Sequence, residues 1–129
     1  MEQDFNLEII SPEKILLSEK VKSVTIPSFE GEMTILPDHI PLITFLRPGI
    51  VRAHGVKERK YFVEEGTVEF SKNTLIILSS TIISLDALTN ANISKLIEES
   101  KNQLNKDQLD DKTRYITFHK LDSLSKINQ

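Results

Sequence analysis

Between Ile26 and Arg52 the chain reads IPSFEGEMTILPDHIPLITFLRPGIVR, which sets four of its five prolines and two of its four glycines between strand-like apolar runs. Pro27, Pro37, Pro41 and Pro48 each fix φ near about −65° and bias the preceding residue toward extended geometry. Gly31 and Gly49 offer positions where φ can be positive. A backbone written this way has few alternatives, and the expectation is a stiff, shaped surface loop. Such a loop loses little entropy on docking and suits the binding of a partner. General acid–base chemistry would instead need perturbed titratable groups converging from several elements.

From Phe5 to Leu85 short strands broken by turn residues are expected, a spacing that favours a sandwich or barrel. Phe5, Leu7 and Ile9 alternate, as do Val24 and Ile26, Met33 and Ile35, Val51 and Ala53, Tyr61 and Val63, and Val68 and Phe70, which puts one face of each strand inward. Turns are expected at Ser11-Pro12, Ser28 to Gly31, Pro48-Gly49, Gly55 with Lys57 to Lys60, Glu65-Gly66 and Lys72-Asn73. Eight to ten strands fit residues 1–86, giving a mainly β chain built on an antiparallel β-sandwich.

The pattern changes after Asp86, so that residues 87–129 read as a two-helix antiparallel hairpin. Ile93, Leu96, Ile97 and Leu104 fall on one side of a helix at 100° per residue, with Asn90 or Asn92 as its cap. A second helix is expected from about Asp107, whose side chain would cap it while Asp110 and Asp111 complement its positive end. Leu109, Ile116, Leu124 and Ile127 line its apolar face, with Leu121 at the margin and Phe118 on the opposite side.

Composition narrows the function classes. A net charge of −3 supplies no basic field for nucleic acid. The absence of cysteine removes disulfides and thiolate metal sites. No apolar run approaches the roughly 20 residues that cross a bilayer, and MEQDFNLEII lacks the basic region of a targeting peptide, so neither direct membrane insertion nor export is expected. His39, His54 and His119 are far apart in sequence without ligand spacing, and no phosphate-cradling glycine loop occurs, so neither metal nor cofactor is expected. Asp38-His39 invites a general-base reading, but neighbours in an extended loop point apart and no nucleophile motif accompanies them, so no catalytic residue is assigned.

The run Gly31, Glu32, Ile35, Pro37, His39, Pro41, Leu42, followed by Pro48-Gly49, resembles the Gly-Glu-x-x-Ile-x-Pro-x-His-x-Pro-Leu hallmark of the epsilon subunits of bacterial F-type ATP synthases, the delta subunit in mitochondria. The opening FNLEIISPEKILLS and the later YFVEEGTVEFSKNTLIILSS are similar to that family's strands as well. The resemblance implies a non-catalytic central-stalk subunit of a proton-translocating rotary motor, peripheral to the cytoplasmic face of the bacterial inner membrane. Its implied partners are the gamma subunit, the c-subunit ring and, through the helices, the alpha/beta head. By the same resemblance Glu30 and Glu32 are ring-side contacts, while His39 and Pro41 face gamma.

The chain departs from the family in three places. Some members bind ATP through an Ile/Leu-Asp-x-x-Arg-Ala run, where this chain has Leu88, Thr89, Asn92 and Ile93, so weak or absent ATP binding is expected. The hairpin of relatives can leave the sandwich and brake hydrolysis with a basic second helix, whereas here Asp107, Asp110, Asp111 and Asp122 balance Lys112, Arg114, Lys120 and Lys126. Glu65-Gly66 stands where relatives often carry two glycines. A free-standing β-sandwich binding a small ligand or carbohydrate, with the helices as a lid, is the alternative reading; it lacks tryptophan for an aromatic platform.

Overall fold

A computed structural model describes residues 4–106 and 109–127. Nine strands come first: β1 (Phe5–Ile10), β2 (Ile15–Ser28), β3 (Gly31–Ile35), β4 (Leu42–Leu46), β5 (Gly49–Gly55), β6 (Glu58–Val63), β7 (Gly66–Ser71), β8 (Thr74–Leu78) and β9 (Ile83–Ser84). A single 3-10 turn, Leu85–Ala87, leads to helices α1 (Asn90–Leu104) and α2 (Asp111–Ile127). The order of strands is β1-β8-β7-β4-β2-β5-β6-β9, with β3 added to β2 and with β1 also paired to β2. Pairing is antiparallel apart from β1 with β8, so the sandwich is a mixed one.

Its length lets β2 serve both layers. Residues 15–21 pair with β1, and from Val21 onward the strand pairs with β5 and β3, with a bulge between Val21 and Ser23 where it turns from one layer to the other. The alternating residues meet between the layers: Phe5, Leu7, Ile9, Val24, Ile26, Ile35, Val51, Ala53, Tyr61, Val63, Val68 and Phe70 all belong to one buried cluster. Phe5 and Phe70 close it edge to face at 5.6 Å. Phe62 points away from this cluster and is still 1% exposed, which requires cover on the other face of β6. On that side α2 packs on β5, and α1 packs on α2.

Several local expectations are corrected. Ile26–Arg52 is mostly strand, not loop: it contains the end of β2, all of β3 and β4, and half of β5, leaving 36–41 as its one longer connection. Burial of Ile26, Ile35, Leu46 and Val51 outweighs the prolines. Pro27 is tolerated in β2 because a proline has no N–H that needs an acceptor, and its carbonyl still accepts from the Arg47 amide at 2.9 Å. Gly31 has φ +127°, but Gly49 lacks a positive φ; there the constraint is proximity, since a Cβ would stand 2.5 Å from Pro27 Cβ. Glu58 to Lys60 lie in β6, so the turn after Gly55 is only Val56-Lys57.

The helix starts also shift. Thr89 caps α1, its Oγ1 accepting from the Asn92 amide at 3.1 Å, because the helix begins at Asn90 and the residue before it must take the cap. At α2 the Thr113 amide donates to Asp110 Oδ1 at 2.7 Å, which makes Asp110 the capping residue and leaves Asp111 in the first turn. Asp107, expected as that cap, lies outside the described residues. Ile93 and Leu124 are buried as their stripes require, and Phe118 is 55% exposed on the far side of α2.

Candidate functional site

Strand β3 separates the two groups of residues read from the sequence. At its start is the β2–β3 tip, Phe29-Glu30, with Glu30 and Glu32 both exposed. At its end the connection 36–41 carries His39 and the exposed Pro41. The four residues are therefore not brought together; they are divided between two ends of the sandwich.

Inside the tip, Ser28 is fully buried and its Oγ donates to the Gly31 carbonyl at 2.6 Å while accepting from the Glu30 amide at 3.3 Å. This is a self-closed turn with Gly31 at the position a side chain would strain. Glu32 lies 3.7 Å from Arg52 of β5, but both are largely exposed, so the pair is weak and leaves the carboxylate free to meet another cation.

At the opposite end Asn73 holds the His39 connection. Its Oδ1 accepts from the Asp38 amide at 3.0 Å, its Nδ2 donates to the Asp4 carbonyl at 3.0 Å, and its own carbonyl accepts from Asn6 at 3.1 Å. Both Asp38 (φ 64°) and Asn73 (φ 58°) take the left-handed conformation that Asp and Asn tolerate best after glycine. The His39 ring packs edge-on to Phe70 at 5.9 Å, and its Nδ1 lies 2.7 Å from the Ile40 carbonyl, which can only accept, so Nδ1 carries the proton. The imidazole nitrogen that a carboxylate would orient is thus occupied by its own loop.

Between these ends runs an apolar stripe that sequence reasoning missed. Ile40 and Ile43 are each 75% exposed, Phe45 61% and Leu78 47%. Register aligns them: Phe45 faces Thr67, which faces Leu78, and Ile43 faces Glu69, which faces Ile76. The signal lay in LITFL, which is apolar on both faces of β4 although only Leu46 is buried among its residues. Ile43 and Phe45, neighbours on one face of β4 and extended by Ile40, make an exposed apolar patch of the kind that marks interaction sites. Around it, a groove of about 1130 Å³ lies between the start of α2 and the sandwich, lined by Ile10, Phe29, Phe45, Leu78 and Ile116 among others.

Helix α2 grips the Glu30 end. Tyr115 stacks on Phe29 with ring centroids 5.7 Å apart and planes 15° apart, and its hydroxyl donates to the Phe29 carbonyl at 2.9 Å while accepting from Arg47 at 3.1 Å. Lys120 pairs with Glu64 at 2.6 Å, and Ser123 Oγ lies 3.3 Å from the Pro48 carbonyl. His119 meets Tyr115 edge to face at 4.5 Å and lies 3.5 Å from Arg47, where burial, then the neighbouring guanidinium, push its pKa below the ordinary value. Among the described residues no His/Cys/Asp/Glu group is arranged to hold a metal, and no helix is long and apolar enough to cross a membrane.

Residues 4–85 match the family described as ATP synthase, Delta/Epsilon chain, beta-sandwich domain. The ATP synthase epsilon chain of Pelagibacter ubique is 39% identical over 130 residues, covering 99% of this chain and all of that protein. That of Allorhizobium ampelinum is 38% identical over 107 residues, 81% of this chain and 78% of that one. A chain of the Euglena gracilis mitochondrial ATP synthase structure superposes with a TM-score of 0.81 at 21% identity, covering 98% of this chain and 82% of that one, a likeness of fold. With the sandwich matched almost from end to end and the helices included in the alignment to the Pelagibacter ubique chain, the chain belongs to the ATP synthase delta/epsilon family.

Proposed function

We propose that this chain is a non-catalytic rotor subunit of a proton-translocating ATP synthase, peripheral to the cytoplasmic face of the bacterial inner membrane, which links the gamma subunit to the c-subunit ring. In this reading residues 1–86 are the docking unit and residues 87–129 a helical unit able to reach the alpha/beta head and brake hydrolysis. Ile40, Ile43, Phe45 and Leu78 form the gamma face, with His39 and Pro41 at its margin. Glu30 and Glu32 meet basic groups of the ring's polar loops, where charge complementarity sets register.

The exposed β4 stripe carries this reading. A strand whose outward side chains are Ile43 and Phe45 gains by burial against a partner, at roughly 25 cal/mol per Å² of apolar surface. Its continuity with the His39 connection supports one partner for both. The acidic tip lies beyond the Phe45 end of that stripe, at the end of β3 away from the His39 connection, which supports a second partner there. The likeness to epsilon chains over the whole length displaces the alternative of a ligand-binding module.

Replacing Ile43 and Phe45 together by Asp tests the gamma face, because both side chains are exposed and the fold should survive. Loss of co-purification with gamma, with an unchanged melting temperature, is the expected result. Retention of gamma by the double variant would overturn the assignment.

A further inference from the structure

We infer that Tyr115 is a positioning residue for the ring-side tip, so that docking of α2 and engagement of Glu30 and Glu32 by the c-ring stabilise each other. The inference rests on the reading of those two glutamates as ring contacts.

The tip is held from two directions. From the sandwich, the Phe29 amide donates to the Phe45 carbonyl at 3.2 Å, and Ser28 closes the turn from inside. From the helix, Tyr115 covers the Phe29 ring and satisfies its carbonyl, and that same hydroxyl accepts a hydrogen bond from Arg47. Phe29 immediately precedes Glu30. One helical side chain thus fixes both the ring and the carbonyl of the residue that leads into the acidic turn.

A helix such as α2, which packs on the sandwich mainly along β5, can open locally at a free energy below that of global unfolding. When α2 opens, Phe29 loses its stacking partner and its carbonyl donor together, and the segment that presents Glu30 gains freedom. A partner that binds the ordered tip must then supply the lost ordering itself, which weakens its affinity. Linkage makes the effect reciprocal: the factor by which an open helix weakens ring binding is the factor by which ring binding suppresses opening. The contacts at Lys120–Glu64 and Ser123–Pro48 hold α2 to other loops of the same end, whereas Tyr115 makes both the ring contact and the hydrogen bond to Phe29.

The test uses the full chain and detergent-purified c-ring. Hydrogen exchange of α2 amides is followed with and without ring, and ring affinity is measured for the wild type, Tyr115→Ala, Tyr115→Phe and Glu32→Lys. The ring should slow α2 exchange in the wild type by about fivefold or more. Tyr115→Ala should weaken ring binding by a matching factor and abolish the slowing, without moving the unfolding of the sandwich. Tyr115→Phe keeps the stack on Phe29 but loses both hydrogen bonds, and should lie between the two. If Glu32→Lys weakens binding while Tyr115→Ala binds as tightly as the wild type, or the ring leaves α2 exchange unchanged, the coupling is wrong and the ring contact stands. If neither substitution changes binding, both readings fall.

Discussion

The side-chain oxygen of Asn73 accepts the amide hydrogen of Asp38 at 3.0 Å, which ties the β7–β8 turn to the His39 connection 35 residues earlier in the chain. Its amide nitrogen simultaneously holds the Asp4 carbonyl, so three segments converge on one side chain. Asn73→Ala removes both bonds and leaves an alanine at φ 58°. The expected cost is about 1–3 kcal/mol from the lost hydrogen bonds and left-handed strain together, read by urea unfolding, with faster hydrogen exchange at Asp38 and His39. Unchanged exchange there would show that the connection is braced by something else.

Protonation of His119 should loosen α2. Its pKa is lowered, first by burial and then by Arg47, while Asp122 opposes the shift and Lys126 adds to it. A histidine with a depressed folded-state pKa favours the docked state fully above its ordinary value of 6.5, and that contribution is lost as the pH falls through 6.5 toward the lowered value. Protonation also removes the Nε2 lone pair that accepts from Arg47 and sets two cations 3.5 Å apart. Exchange of α2 amides, corrected for its intrinsic pH dependence, should therefore show more opening below pH 6.5 than above it, and His119→Gln should flatten that dependence.

Gly49→Ala should destabilise the sandwich by about 1–3 kcal/mol, the range for overpacking, because the added carbon would lie 2.5 and 2.8 Å from the Cβ and Cγ of the buried Pro27. The calorimetric melting temperature reads this directly. An unchanged value would mean that β2 and β5 can separate at that point without penalty.

ATP should bind weakly or not at all. Thr89 occupies a position of the nucleotide motif, yet its hydroxyl is engaged in capping α1. Calorimetric titration with ATP is expected to give no sub-millimolar binding.

Much of the fold was legible because each strand carries a strict period of two: the alternating residues from Phe5 to Phe70 are the ones that meet in the core. Local punctuation was less reliable. Prolines and glycines between Ile26 and Arg52 pointed to a loop, but long-range burial drew most of that stretch into strands. The Gly31 to Leu42 run singled out Glu32 and His39 without revealing that β3 holds them at opposite ends of the sandwich. The bracing roles of Asn73, expected only as a turn residue, and of Tyr115 escaped notice because their partners lie 35 and 86 residues away, and no periodicity encodes a pairing at that separation. The Ile43 and Phe45 stripe was hidden for a different reason: a strand apolar on both faces reads as core until the structure leaves one face open.

Affinity purification of the intact chain from membranes under moderate salt, followed by mass spectrometry, tests the rotor assignment most directly. Recovery of a gamma subunit and the c subunit together, with gamma lost from the Ile43→Asp/Phe45→Asp variant and the ring weakened in Glu32→Lys, is the predicted outcome. Recovery of the chain without either subunit would contradict it.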